Sequence, residues 1–329
     1  MKFLVIGANS FSGSHFVKRA LQEGHAVVGM SRSYEPEREF LPRKWESESK
    51  GSYTFVRINL NSGTDEFSSV LKGLEPEIVV NFAAQGMVAE SWKTPWDWFQ
   101  TNTVGLSKVL HGLQALSSLK KYVHVSTPEV YGSTQGWVEE SLDFSPSTPY
   151  AVSRAAGDWH VLNLVKSAGL PAVITRAANV FGPGQQLYRV IPRAFLSAHL
   201  GEKFPLHGAG ESTRSFIYID DVVDATYRLC FLDTAGETFH ISTDALVSIR
   251  DLVLEVGQVA GVNSEQLIEQ IPERVGKDDS YQLNSTKIRE RTGWSDSFSR
   301  IEGLEAVNSW VLNHLDRFSV LPRDYEHKA

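Results

Sequence analysis

With one cysteine in 329 residues, Cys230, the chain has no partner for an intrachain disulfide. Cys230 sits in the apolar run YRLCFL, where an inert buried thiol is expected rather than a nucleophile. The ten histidines are scattered, and no Cys/His pair has metal-ligand spacing, so no metal site is expected. There is no basic run, and the formal net charge is −7, which argues against a nucleic-acid groove. No apolar segment approaches the roughly 20 residues of a membrane-spanning helix. The apolar run that opens MKFLVIGANS is too short for a signal peptide. Repeats and low-complexity segments are missing too. A cytoplasmic protein is expected, with neither nucleic acid nor membrane among its partners.

What is there is a chain long enough, and at 42% hydrophobic apolar enough, for one large domain or two smaller ones. Residues 3–6 are wholly apolar, as in a parallel strand buried on both faces. Gly7-Ala8-Asn9-Ser10-Phe11-Ser12-Gly13 follows, and then a helical pattern with Phe16, Val17, Ala20 and Leu21 on one face. Gly24 ends that helix, and residues 26–30 read as a second strand. Strand, glycine turn, helix and strand make a dinucleotide-binding unit, in which backbone N–H groups and a helix N-terminus face the pyrophosphate. Ser10 stands where a second glycine would allow the closest approach.

A carboxylate at the end of the second strand would bind the adenosine ribose and repel a 2′-phosphate. This chain has Ser31-Arg32-Ser33 and no acid before Glu35. Arg32 offers a planar cation suited to phosphate, so NADP is favoured, with NAD as the alternative. Residues 34–52 read as a loop. Residues 53–58 read as a third strand, leading to Asn59 and Leu60 beside the adenine. Residues 78–82 are a fourth, leading to the small Ala83 and Ala84 and then Gln85. A long helix is predicted over residues 98–119. Trp92, Trp96 and Trp98 are assigned to core or interface packing.

The chain is organised around residues 121–154. Residues 122–125 predict a buried fifth strand that runs out into Ser126, Thr127, Pro128 and Glu129. Pro146 and Pro149 bracket the start of a helix that runs to about residue 168 and carries Tyr150 four residues before Arg154. Hydroxyls, a carboxylate and a tyrosine–cation pair at the ends of parallel strands form a catalytic arrangement. Residues 172–175 complete six strands that alternate with helices, predicting a doubly wound parallel α/β sheet of the Rossmann type. A smaller C-terminal α/β lobe is expected to hold the substrate. The division is a cofactor domain over residues 1–175 and an interleaved lobe over residues 176–329, with the cleft between them. The end of the chain, DYEHKA, reads as a frayed tail.

Taken together, GANSFSGSH at 7–15, NFAAQ at 81–85, TNTVG at 101–105, STPEVYG at 126–132, YAVSR at 150–154, RAANVFGPG at 176–184 and RSFIYIDDV at 214–222 resemble the extended short-chain dehydrogenase/reductase superfamily. ERVGKDDSY at 273–281 and TGW at 292–294 extend the match. Within the superfamily the chain is similar to the nucleotide-sugar 4,6-dehydratases, epimerases and decarboxylases. The resemblance implies that Gly7, Ser10 and Gly13 hold the pyrophosphate, with Phe11 and Ser12 beside them. It makes Tyr150 the base that takes the sugar O4 proton and Thr127 its hydrogen-bonding partner on O4. Asn102 would lie near the cofactor, as would Ser126 and Gln85, which also face the substrate. Asn179, Arg214 and Arg274 would hold the nucleotide-sugar phosphates. A homodimer through two long helices is implied too.

Glu129 discriminates among the reactions. Dehydratases resemble this chain in carrying a glutamate there, which removes the C5 proton once C4 is a ketone. Decarboxylases carry one as well, whereas simple 4-epimerases usually do not. Two departures stand out. Pro128 replaces an aspartate that protonates the leaving hydroxyl. Arg154 replaces a lysine that binds the nicotinamide ribose beside Tyr150 and lowers the tyrosine pKa; arginine keeps the charge, but it cannot relay a proton. The expected activity is an NADP-dependent 4,6-dehydratase. The alternatives are a 4-epimerase, decarboxylase or 4-ketoreductase, and, from another class, a non-enzymatic cofactor-binding protein.

Overall fold

Side chains two apart on a strand share a face, and this alternation builds the two layers of the protein. In β1 (Lys2–Ile6), Phe3 and Val5 pack into one apolar cluster, and Leu4 and Ile6 into another on the opposite face. All four are buried, as a strand between two helical layers must be. The computed structural model describes residues 1–46, 49–62, 64–272 and 281–327. β2 (Ala26–Ser31), β3 (Ser52–Arg57), β4 (Ile78–Asn81), β5 (Lys121–Val125) and β6 (Ala172–Ala177) extend the sheet in parallel. A seventh strand, β7 (Thr238–Ile241), pairs parallel with β6. The spatial order is β7-β6-β5-β4-β1-β2-β3. Six strands were expected; the seventh comes from a stretch of only four residues in the second half of the chain. The order reverses between β1 and β4, and a crevice opens at the carboxyl ends of strands at such a switch point.

Helix α1 (Phe11–Gln22) covers one face through Phe16, Val17, Ala20 and Leu21. Helix α2 (Thr64–Leu74) covers the other through Phe67 and Leu71. The single helix predicted over residues 98–119 is instead three joined pieces: α3 (Pro95–Phe99), a π-helical turn (Gln100–Gly105) and α4 (Leu106–Gln114). Leu116 and Leu119 still pack on the core after the helix has ended, so the apolar spacing outran it. Helix α5 (Pro149–Ala168) starts where expected, because Pro149 fits the first helical position and the Thr148 side chain accepts from the Ala151 N–H.

The second half adds a three-stranded sheet of Asn179–Phe181, Thr213–Tyr218 and Leu246–Ser248, and pairs Phe204–His207 with Ile268–Ile271. Helix α6 (Val190–Leu200) lies beside them, with Ile191, Phe195 and Leu196 buried. The chain then ends its helical course with Arg300–Asn313 and Leu315–Ser319. Of the tail expected to fray, the described part packs on the protein: Tyr325 lies edge-on against Tyr188 at 5.5 Å, and His327 stacks on Trp98 at 4.9 Å. The partners are far off in sequence, so no local pattern announces them. Trp98 is buried, whereas Trp92 and Trp96 are exposed. Among the described residues, no helix is long and apolar enough to cross a membrane, and no cluster of three or more groups could hold a metal ion.

A buried polar network locks β5, β6 and α5 together. Arg176 donates to the Asp158 carboxylate at 2.9 Å, and His124 lies 3.4 Å from the same group. Arg176 also donates to the Tyr131 hydroxyl, which meets His240 at 2.8 Å. Burial works against the Asp158 charge, but the His124 hydrogen bond and the Arg176 charge outweigh it and hold the carboxyl at about 2. Because that value lies below the unfolded one, the contribution is complete above about pH 4 and is lost as pH falls through about 2. Replacing Asp158 with alanine leaves the Arg176 cation buried without its carboxylate. The expected cost is about 3 kcal/mol or more in urea unfolding at neutral pH, and a loss below 1 kcal/mol would show that the pair does not hold these elements together.

Candidate active site

The glycine turn after β1 is built for close approach. Gly7 has φ +81°, and a Cβ there would sit 2.7 Å from the Ala83 nitrogen. A Cβ on Gly13 would sit 2.2 Å from the Gly7 carbonyl oxygen. The two sides of the switch point thus touch through backbone alone. Ser10 is the N-cap of α1: its hydroxyl accepts from the Gly13 N–H at 3.1 Å and donates to the Gly7 carbonyl at 2.7 Å. A serine in place of glycine therefore tightens the turn and leaves the first N–H groups of α1 facing the cleft. This glycine cradle fits a dinucleotide pyrophosphate.

A cleft of about 1140 Å³ opens above the turn. Ser10, Phe11, Ser12, Arg32, Ala84 and Gln85 line its dinucleotide side. Ser126, Thr127, Pro128, Glu129, Tyr150 and Arg154 line its floor. Asn179, Arg214 and Tyr281 line the lobe side, as do Phe204 to His207. Gly7, Gly13 and Ala83 lie just beneath the wall, and the Ala83 N–H donates to the Asn81 side chain. Asn59 and Leu60 are not among the lining residues: the Asn59 carboxamide caps the Asn61 N–H, and Leu60 packs on the core. Asn102 sits in the π-helical turn, turned inward. It accepts from the Gln85 N–H at 2.8 Å and donates to the Gln85 carbonyl and the Ser153 hydroxyl at 3.0 Å. It thereby ties the loop after β4 to α5 one residue from Arg154. Arg274 lies outside the described residues.

The floor follows from the end of β5. Thr127 leaves the strand as the N-cap of a 3₁₀ turn, Pro128–Tyr131. Proline suits the first position of such a turn, because its φ is already set and its missing N–H has no bond to make. Pro128 is thus used to start the turn that points Glu129 into the cleft. One helix over, Tyr150 stands in the first turn of α5, buried, with Arg154 a turn further on. The Arg154 guanidinium donates to the Val125 carbonyl at the end of β5, so it braces helix against strand.

Opposed fields act on Tyr150. Burial pushes its hydroxyl above the ordinary value, and the Glu129 carboxylate pushes it further. The Arg154 charge, a hydrogen bond with Thr127 and the Arg189 charge pull it down. The substitution of arginine for lysine therefore keeps the cation that favours tyrosinate.

Sequence reasoning missed several groups. The Tyr281 hydroxyl donates to the Asn179 side chain at 2.8 Å, the Arg214 guanidinium lies 4.8 Å over its ring, and burial with the nearby Glu129 carboxylate pushes that hydroxyl up. Arg189 and Arg193 also line the cleft. Arg57 stands opposite Ser31 in the register of β3 on β2, beside the strand end that carries Arg32. They come from three separate segments, and single arginines or tyrosines carry no local signal.

The family model described as the NAD dependent epimerase/dehydratase family matches residues 3–242. The chain is 26% identical over 313 residues to a trifunctional UDP-glucose 4,6-dehydratase/UDP-4-keto-6-deoxy-D-glucose 3,5-epimerase/UDP-4-keto-L-rhamnose-reductase of Arabidopsis thaliana. That match covers 93% of this chain, which spans 46% of the relative. Among solved structures it is similar to a dTDP-glucose 4,6-dehydratase of Streptomyces venezuelae with NAD bound, with a TM-score of 0.87, 27% identity, and 96% of this chain and 98% of that one covered. It is equally similar to the UDP-glucose 4-epimerase of Thermotoga maritima with UDP-glucose, with a TM-score of 0.87, 26% identity, and 96% and 100% covered. With its glycine cradle at the switch point, its Thr127–Tyr150–Arg154 floor and a family match over most of its length, the chain belongs to the NAD dependent epimerase/dehydratase family.

Proposed function

We propose that the protein is a nucleotide-sugar 4,6-dehydratase. The observation that carries this reading is a carboxylate, Glu129, in the same cleft as Tyr150 and close enough to raise its pKa. In this reading residues 1–175 hold the dinucleotide and residues 176–329 hold the sugar nucleotide, with the two parts interleaved. Gly7, Ser10, Phe11, Ser12 and Gly13 receive the pyrophosphate. When bound, the nicotinamide accepts hydride from C4 and returns it to C6. Tyr150, as tyrosinate, takes the O4 proton, and Thr127 orients O4. Glu129 then takes the C5 proton, which the C4 ketone has acidified. The C6 hydroxyl leaves as water with one proton, and C5 regains one as hydride returns to C6; Pro128 can supply neither, so the two come from Glu129 and Tyr150, which hold the protons taken from C5 and O4. Arg214 and Asn179 face the diphosphate, and Phe204 to His207 face the base.

Incubation with GDP-, UDP-, CDP- and dTDP-hexoses, read by mass, tests the proposal. Loss of one water from a sugar nucleotide is expected. An isomer of unchanged mass, or loss of carbon dioxide from a uronate, would replace the dehydratase reading with an epimerase or a decarboxylase. Pro128 and the likeness to a UDP-glucose 4-epimerase favour that second reading. Net consumption of reduced cofactor would indicate a ketoreductase. Absence of turnover with cofactor still bound would indicate a binding protein.

We favour NADP as cofactor because Arg32 lines the cleft and Arg57 stands beside it, with no acid at the end of β2. The solved relative from Streptomyces carries NAD. Arg32→Ala is expected to cut the preference for NADP over NAD by about 10- to 100-fold, as loss of a charge-assisted hydrogen bond of about 1.5–3 kcal/mol would. Binding titrations with both cofactors check this, and an unchanged ratio would remove Arg32 from that role. A homodimer belongs to the same proposal. Trp96, Phe99 and Val104, with Val152 and Trp159 of α5, leave apolar side chains exposed on the long helices. Light scattering in solution is expected to give twice the 36.6 kDa chain mass.

A further inference from the structure

We propose that the segment Leu321 to His327 is a strap over the dinucleotide side of the cleft, where it slows release of the bound nicotinamide cofactor. Its side chains Leu321, Pro322, Asp324, Tyr325 and Glu326 form part of the cleft wall. It is fastened on both sides. Toward the lobe, Arg193 of α6 meets Asp324 at 3.3 Å and Tyr188 meets the Tyr325 ring. Toward the cofactor domain, His327 contacts the Asp97 carboxylate at 2.8 Å and stacks parallel to the buried Trp98 ring, tilted by 10°. The segment therefore bridges the cleft.

Two observations place the strap at the dinucleotide end. The Tyr325 hydroxyl feels the Arg32 charge, and Arg32 directly follows β2, the strand that leads to the adenosine site. The helices that lead into the strap are themselves bound to the loop after β2. Arg317 pairs with Glu37, the Trp310 indole donates to the Glu39 carbonyl at 3.1 Å, and Phe40 packs 5.5 Å from Phe318. Phe40 and Pro36 of that loop also line the cleft. One side of the dinucleotide site is thus the fixed glycine turn, and the other is a loop and strap that move together or not at all.

Ring stacking and ion pairs of this kind are each weak, at about 0.5–1.5 kcal/mol for an aromatic pair. Several acting together make a closure that holds a ligand yet still opens. The proposal needs a dinucleotide in the cleft, which is the family property, and does not depend on the elimination step.

The test measures release of reduced cofactor, followed by its fluorescence after rapid mixing of the loaded full-length protein with excess oxidised cofactor. No sugar nucleotide is present, so the outcome is separate from the reaction catalysed. Deleting residues 322–329 is expected to speed release by about 10-fold or more, the equivalent of two such contacts. Tyr325→Ala is expected to speed it by about 3- to 10-fold, and Tyr325→Phe to leave it nearly unchanged, because the ring contact is kept. Should the deletion disturb folding, seen as a lowered melting temperature without cofactor, Tyr325→Ala and Asp97→Ala carry the test. Unchanged release in the point variants would overturn the strap. So would unchanged release with a raised KM for the sugar nucleotide, which would assign the segment to the substrate wall instead.

Discussion

Tyr150→Phe is expected to lower turnover by about 10³-fold or more while leaving cofactor affinity unaltered, since a positioned acid–base group contributes about 10²–10⁴-fold. The change removes one oxygen from a buried ring in the first turn of α5 and leaves the packing in place. It takes away both the base for O4 and the hydrogen bond to Thr127. Single-turnover mixing with sugar nucleotide should show no rise in reduced-cofactor absorbance. A variant that retained more than about a tenth of wild-type turnover would mean that O4 loses its proton by another route. Wild-type oxidation also has a definite pH direction. In the proposed reaction the base is tyrosinate, and burial and Glu129 hold the hydroxyl above its usual value. Oxidation should therefore accelerate as pH rises toward that value.

Glu129→Gln separates the two halves of the reaction. Glutamine keeps the shape but cannot take a proton from C5. C4 oxidation is expected to survive and elimination to fall by about 10²–10⁴-fold, so that reduced cofactor accumulates on mixing and no deuterium enters C5 from heavy water. The same substitution removes the negative charge that raises Tyr150. The oxidation limb should then move to lower pH, opposite to the shift that loss of the Arg154 cation would cause. If elimination survived at wild-type rate, the C5 base would lie elsewhere in the cleft. If oxidation failed as well, Glu129 would be needed to build the site rather than to act in it.

The strand–turn–helix opening was legible because its signals are local. Four apolar residues, a glycine turn and a 3.6-residue pattern fall within about 20 positions, and each element forms where its own side chains dictate. Thr127, Glu129, Tyr150 and Arg154 could be named for the same reason: they sit at element ends with recognisable turn and capping residues around them. The helix over residues 98–119 was misread, because apolar periodicity reports burial and not hydrogen bonding. A π-helical turn keeps its apolar face and shifts only the register, which is how Asn102 comes to point inward at Gln85 and Ser153. Asn59 and Leu60 were assigned to the adenine by sequence position; in the fold the Asn59 side chain accepts from the Asn61 N–H, and Leu60 packs on the core.

By itself the sequence determined the alternation of strands and helices, the cradle for a dinucleotide and the identities of the groups on the cleft floor. Those are decided by short-range sterics, capping and burial patterns that any few consecutive residues carry. Only the tertiary structure decided what those groups face. It set Glu129 against Tyr150, placed Tyr281 near both and Arg189 near Tyr150, added a seventh strand from the second half, and drew residues 321–327 across the cleft. These are contacts between segments up to 280 residues apart, as between Glu37 and Arg317. They are fixed by how the layers pack, which no local run of sequence encodes.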